Sequence, residues 1–130
     1  MKSTFRVGTP TVTTARAPKG PFGIVFEDDG ATGYVYGIRR RWWRQPIVLD
    51  ALHLYNVEAV RDRESPQQLE ARWSPDGLRA AILINGHPHA AFAFAEQRAG
   101  CMTAFPPPSP WCRSSHEWDV SLIEFLAQAS

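Results

Sequence analysis

The residues of this 130-residue chain that could carry chemistry are few: four histidines, two cysteines, a carboxylate set among apolar neighbours, and one run of arginines and tryptophans. A positioned Asp and His could exchange a proton with a substrate, and Asp50 and His53 stand three positions apart. Asp50 lies between Leu49 and Ala51, in the partly apolar setting that catalytic carboxylates often occupy. The commoner reading of such a residue is an aspartate bonded to backbone amides. His87 and His89 form an H-x-H pair, which on a strand projects both rings to one side. With His53 or His116 they would complete a tetrahedral metal site. The chain shows no clustered Cys/His ligand set, so neither a metal nor a cofactor is expected. Cys101 reads as a small buried hydrophobe before it reads as a nucleophile. G-x-S-x-G, G-x-G-x-x-G, H-E-x-x-H and the P-loop pattern are absent from the sequence. No catalytic residue is assigned.

The sharpest feature is Arg39-Arg40-Arg41-Trp42-Trp43-Arg44. Arg and Trp combine large contact area with directional polar groups and are enriched at binding hot spots. The run suits a protein partner first, a local Arg–Trp clamp second, and single-stranded nucleic acid third. Four guanidinium groups without a carboxylate in the segment cannot all be buried. If the run were a strand, Trp42 and Trp43 would face opposite ways, one inward and one outward. A second charged point, Glu27-Asp28-Asp29, is expected at a solvated hairpin tip, with Asp28 and Asp29 as further partner contacts. It lacks the spaced oxygens of a calcium loop.

Hairpins must position these residues. Residues 1–20 lack clear periodicity and read as a tail or an edge strand, and residues 21–130 as one globular domain. Phe22, Ile24 and Phe26 alternate with Gly23 and Val25, and Tyr34, Tyr36 and Ile38 resume the alternation after Asp28-Asp29-Gly30; residues 22–38 read as a hairpin. The arginine run then falls on a loop. Residues 47–60 fit helical spacing through Val48, Ala51, Leu52 and Tyr55 and strand spacing through His53, Tyr55, Val57 and Ala59; neighbouring hairpins favour strand. Leu69, Ala71 and Trp73 alternate up to Ser74-Pro75-Asp76-Gly77. Ala80, Ile82 and Ile84 lead to Asn85-Gly86, the pair that suits a type I′ turn, and Ala90, Phe92 and Phe94 return. Pro88 lacks a ladder donor, so the return strand is expected from His89 onward. Residues 101–105 could add a short strand, Pro106 to Pro110 reads as extended linker, and Ser114 with Glu117 fits a capping box before a helix over about 115–128 with Val120, Ile123 and Leu126 on its apolar stripe. The expected fold is α+β, mainly β: a twisted antiparallel sheet of hairpins with one C-terminal helix.

Composition narrows the function classes. A hydrophobic share of 44% and a charged share of 21% are ordinary for a globular domain. The formal net charge of +1 gives no global field toward nucleic acid, which is disfavoured as a partner, or toward a membrane. No apolar run reaches the roughly 18–20 residues of a membrane span, and the basic, threonine-rich N-terminus lacks the apolar core of a signal peptide. Cys101 and Cys112, eleven positions apart, are read as free thiols in preference to a disulfide, consistent with a reducing cytoplasm.

Three blocks, Gly23-Ile-Val-Phe-Glu-Asp-Asp-Gly-Ala-Thr-Gly-Tyr34, Ile47-Val-Leu-Asp-Ala-Leu-His-Leu-Tyr-Asn56, and Trp73-Ser-Pro-Asp-Gly77 leading to Ile84-Asn-Gly86, resemble a family of small bacterial proteins of unknown function. The resemblance covers about residues 20–118 and brings no catalytic motif. It implies a small cytoplasmic bacterial protein. Several families of that kind are immunity proteins, which bind and neutralise a cognate toxin. The expected function is therefore a protein-binding module that inhibits a toxin, with Arg39–Arg44, Asp28 and Asp29 as its contacts. A small enzyme or ligand-binding domain centred on Asp50 and His53 is the alternative.

Overall fold

Alternating apolar residues divide the chain into strands of two stacked sheets, in a computed structural model that describes residues 1–128. One sheet carries β1 (Lys2–Phe5), β6 (Gln67–Trp73), β7 (Arg79–Ile84), β8 (His87–Ala93) and β9 (Arg98–Cys101) in the order β1-β6-β7-β8-β9. The other carries β2 (Thr11–Arg16), β3 (Phe22–Asp28), β4 (Thr32–Arg41) and β5 (Arg44–Asn56) in sequence order. Every pairing is antiparallel. Residues 1–20 thus supply an outer strand to each sheet. The mainly β class expected from the sequence holds, with the hairpins shared between two layers.

The main core lies between the sheets. Ala15, Ile24, Phe26, Val35 and Leu52 meet Leu69, Ala80, Ile82, Ala90 and Phe92, all at most 5% exposed. β7 and β8 are buried on both faces, which explains why Ala80–Ile84 and Ala90–Phe94 are apolar throughout. Their second face, Ala81, Leu83, Ala91 and Ala93, packs under Leu122 and Phe125 of the C-terminal helix.

That helix departs from expectation. It spans Val120–Gln128 and is a 3-10 helix. Leu122 and Phe125, its buried residues, are three apart, the spacing that brings side chains into line on three residues per turn. Val120, expected on the apolar stripe, is exposed. The Ser114–Glu117 capping box is not used. Asp119 starts the helix instead, its carboxylate accepting the Ser121 N–H at 2.9 Å.

Asn85-Gly86 turns the β7–β8 hairpin, with φ of 52° and 82°, both in the left-handed region that a type I′ turn requires. The return strand begins at His87, not His89. A bulge between Ile82 and Leu83 sets Leu83 opposite Pro88, so the missing proline donor falls at an irregularity of the ladder. The last strand is Arg98–Cys101, earlier than the expected 101–105. Residues 47–56 are strand, followed by a 3-10 turn over Val57–Ala59.

Candidate functional site

The arginine run is not a loop between elements. β4 continues to Arg41, β5 starts at Arg44, and Arg41 pairs with Arg44 across a connection of two residues, Trp42 and Trp43. Residues 39–48 are all exposed, so the β4–β5 hairpin projects from the sandwich as a two-stranded finger. Its base is tied to the β2–β3 connection: the Arg40 N–H donates to Pro21 O at 2.7 Å and its guanidinium to Gly20 O at 3.0 Å. Arg41 Nε donates to Gln45 O at 2.9 Å, across the finger. Among the described residues, no carboxylate lies within ion-pair distance of Arg39, Arg40, Arg41 or Arg44.

Both tryptophans face solvent, Trp42 at 80% and Trp43 at 90% exposure. The inward tryptophan expected for a strand does not occur, because the pair forms the turn rather than a strand. The rings meet edge to face at 5.6 Å and make one aromatic knob. Trp43 has φ of 65°, a region that suits Gly or Asn and is an outlier for a bulky side chain. A strained backbone carrying an unburied indole is the kind of outlier from which a functional role is argued. Ile47 and Val48 add exposed apolar surface below the knob.

Asp28 belongs elsewhere. It is 1% exposed and accepts the Gly8 N–H at 2.8 Å, the Gly30 N–H at 2.8 Å and the Tyr55 hydroxyl at 2.7 Å. Its carboxylate fastens the β1–β2 connection, the β3–β4 turn and β5, so its expected place as a partner contact is corrected: a fully bonded buried group has nothing to offer a surface. Burial, and then the bond to Asp28, push the Tyr55 hydroxyl well above its usual range. The Tyr55 ring lies where a Cβ on Gly33 would sit, 2.4 Å away, so only glycine fits beneath it. Asp29 does remain exposed; the Ala31 and Thr32 N–H groups bond its carboxylate and hold it below the ordinary range.

Asp50 and His53 are not brought together. Asp50 falls on the inner face of β5 with Leu52 and Leu54, and His53 on the outer face, beside Tyr34 and Phe105. The partner of Asp50 is His116, 66 positions away, with Nε2 to Oδ2 at 2.7 Å and both side chains buried. Nδ1 of His116 donates to Pro106 O at 2.6 Å. A carbonyl only accepts, so Nδ1 must carry hydrogen, and one further proton is shared between Nε2 and Asp50. The Ala51 N–H donates to Asp50 Oδ1 at 3.0 Å, completing the set. Sequence spacing carries no signal for a contact of that separation.

Cys112, buried, joins this pair; among the described residues, donor atoms of Asp50, Cys112 and His116 lie within 4.8 Å of one another. Thiol catalysis would need a ring nitrogen to take the Cys112 proton, and both are committed. Two ligands on one tetrahedral zinc stand about 3.3 Å apart, whereas Asp50 and His116 are at hydrogen-bond distance, 2.7 Å. The arrangement is a staple that fixes the Pro106–Ser115 stretch across the edges of β5 and β9, with Cys101 N–H donating to His116 O at 3.0 Å. Both cysteines are free and buried. His87 and His89 stand at the opposite end of the sheet's chemistry, on the rim of a cavity lined also by Phe5 and Leu54, with neither His53 nor His116.

A family model described as "Uncharacterized protein conserved in bacteria (DUF2251)" matches residues 5–127. An uncharacterized protein of Haemophilus influenzae is 43% identical over 95 residues, 71% of this chain and 58% of that protein. The matched stretch thus spans somewhat more than half the length of the curated relative. No solved structure matches.

Proposed function

This chain belongs to the family of uncharacterised bacterial proteins matched over residues 5–127, and we propose that it is a protein-binding module whose instrument is the β4–β5 finger, acting in the cytoplasm as an immunity protein that occludes a cognate toxin. The observation that carries this reading is the bare aromatic knob at the end of an arginine-lined ribbon. An exposed apolar patch rimmed by charge marks an interaction surface. The complementary partner has an apolar slot ringed by carboxylates, where Trp42 and Trp43 insert and Arg39, Arg40, Arg41 and Arg44 find counter-charges. Asp29, on a separate turn, is a lesser contact.

Magnitudes favour insertion over surface touch. Each indole can bury about 200 Å², so the pair contributes about 8–10 kcal/mol gross at about 25 cal/mol/Å². Association costs on the order of 4–15 kcal/mol in lost freedom. The knob alone does not suffice for tight binding, and paired arginines supply the rest together with a salt-sensitive association rate.

The test is affinity capture from native lysate, comparing the wild type with W42A/W43A and with R40E/R41E. The wild type should retain a protein that is identified by mass spectrometry and is lost from both variants. Both variants should melt close to the wild type, since residues 39–48 lie outside the core and the Arg40 bond to Gly20 O is solvent-exposed. Undiminished capture by both would remove the finger from the interface, and a collapsed melt would show that the run is a structural clamp.

A further inference from the structure

A second candidate site lies at the other end of β5, about 33 Å from the finger at about 3.3 Å per residue over the ten steps from Arg44 to Leu54. There the two sheets part around a cavity of about 310 Å³. Phe5, Val7, Leu54 and Ile84 wall it, each at most 9% exposed, and half-buried Val60 and Tyr55 close its sides. Four polar side chains complete the lining: Gln67, Asn85, His87 and His89.

Most of that polar inventory is already spent. Asn85 Nδ2 donates to Gln67 Oε1 at 2.6 Å, Gln67 Nε2 donates to Ser65 O at 2.9 Å, and Asn85 Oδ1 accepts the Gln68 N–H at 2.9 Å. The Tyr55 hydroxyl is given to Asp28. His89 Nδ1 donates to His87 O at 2.7 Å, leaving its Nε2 uncommitted. Among the described residues, neither ring nitrogen of His87 has a protein partner. The side-chain donors still open in the lining are therefore the imidazole N–H groups and one Asn85 amide hydrogen, and no lining residue is acidic.

An apolar, concave wall with a few convergent polar groups is the form of a small-molecule site. The volume equals that of about ten water molecules, which is room for about ten non-hydrogen atoms. We propose that this mouth binds a small monocarboxylic acid, its hydrocarbon body against Phe5, Val7, Leu54 and Ile84 and its carboxylate at His87 and His89. A His87 ring N–H to the carboxylate is a charge-assisted bond, His89 Nε2 donates a second one when its ring carries both protons, and the acid-free lining sets nothing against the anion. The H-x-H pair, which no third ligand joins among the described residues, has a role here as the polar end of an apolar slot.

The test uses octanoate, which has ten non-hydrogen atoms, followed by amide NMR on the whole protein, with octylamine as the head-group control. Octanoate should bind saturably with a dissociation constant of about 1 mM or tighter, moving resonances of Phe5, Val7, Leu54, Ile84, His87 and His89. Octylamine should bind about tenfold more weakly, because an ammonium has no lone pair to accept the His87 N–H. H87A/H89A, at exposed and half-buried positions, should fold and lose about tenfold in octanoate affinity. No saturable binding, shifts centred elsewhere, or equal affinity for acid and amine would each overturn the proposal. The head-group comparison needs no variant, so it decides the matter even if H87A/H89A misfolds.

Discussion

Replacing His116 with alanine should be the most damaging single change to the buried polar groups, and replacing Asp50 with asparagine among the mildest. In H116A the Asp50 carboxylate stays inside with no counterpart, and Pro106 O loses its donor. Breaking a buried, hydrogen-bonded pair by removing one member costs about 3–5 kcal/mol. With a urea dependence of about 1.5 kcal/mol/M, the unfolding midpoint should fall by about 2–3 M. Asp50→Asn is different because the Nδ1 bond has only one possible direction. His116 Nδ1 holds its hydrogen for Pro106 O, so Nε2 can accept from an asparagine Nδ2–H while the asparagine Oδ1 keeps the Ala51 N–H. The bonds to His116, Pro106 and Ala51 are all kept, one amide hydrogen lacks an acceptor, and the cost should stay at about 1–2 kcal/mol, below that of H116A. Urea melts followed by tryptophan fluorescence and by circular dichroism measure both. If Asp50→Asn proves as costly as H116A, the Nε2–Asp50 bond is an ion pair that an amide cannot replace. If H116A costs under about 1 kcal/mol, the stretch after Pro106 is not stapled at all.

Two further outcomes follow from local geometry. Gly86→Val should cost about 1 kcal/mol or more in the same melts, purely through backbone strain, since a Cβ there meets nothing within 4 Å while φ is 82°; an unchanged midpoint would contradict the turn. Stability should also fall at both ends of the pH scale. Asp29 (Ala31 N–H), Asp76 (Ser74 hydroxyl), Asp119 (Ser121 N–H) and Glu70 (Arg72 guanidinium) are all held below their ordinary values, so their stabilisation is present above about pH 4 and lost as pH falls through the depressed folded values. Tyr36, pushed up to about 12 by burial and by its bond to Glu27, favours the fold below pH 10 and withdraws that support as pH climbs toward its folded value. Urea melts from pH 2 to 11 would show both limbs, and a flat profile below pH 4 would refute the acid limb.

What the sequence made legible was what is local. Asn85-Gly86 announced its hairpin because both residues tolerate positive φ, and Phe22–Phe26 announced β3 because alternate residues reach the core. The sheet count was not legible: nothing in a strand's own pattern says which sheet it joins, and β7, apolar on both faces, shows that only a covering helix on its second side makes Ala81 and Leu83 inward residues. The helix type was hidden for a related reason. Leu122 and Phe125 fit either helical period, so their spacing alone does not distinguish the two. At the site, Arg39–Arg44 were recognisable as a surface feature, but Trp42-Trp43 does not carry turn chemistry, so its place at a hairpin tip could not be read. Asp28 looked like a solvated turn residue because its donors Gly8 and Tyr55 are remote in sequence. Asp50 was rightly singled out as unusual and wrongly matched with its neighbour His53.

The finger also separates two histories that most folds must run together. Residues 39–48 contribute no side chain to any of the three core clusters, and they meet the body through the Arg39–Phe22 pairing and the Arg40 contacts at Gly20 and Pro21. Substitutions there meet little resistance from foldability, whereas a change at Phe26, Ile82 or Asp50 is punished whatever it does for binding. A lineage can therefore rewrite the tip and leave the sandwich untouched. For the protein engineer the same separation makes the β4–β5 turn a grafting point, where foreign recognition loops can be displayed on an unaltered scaffold.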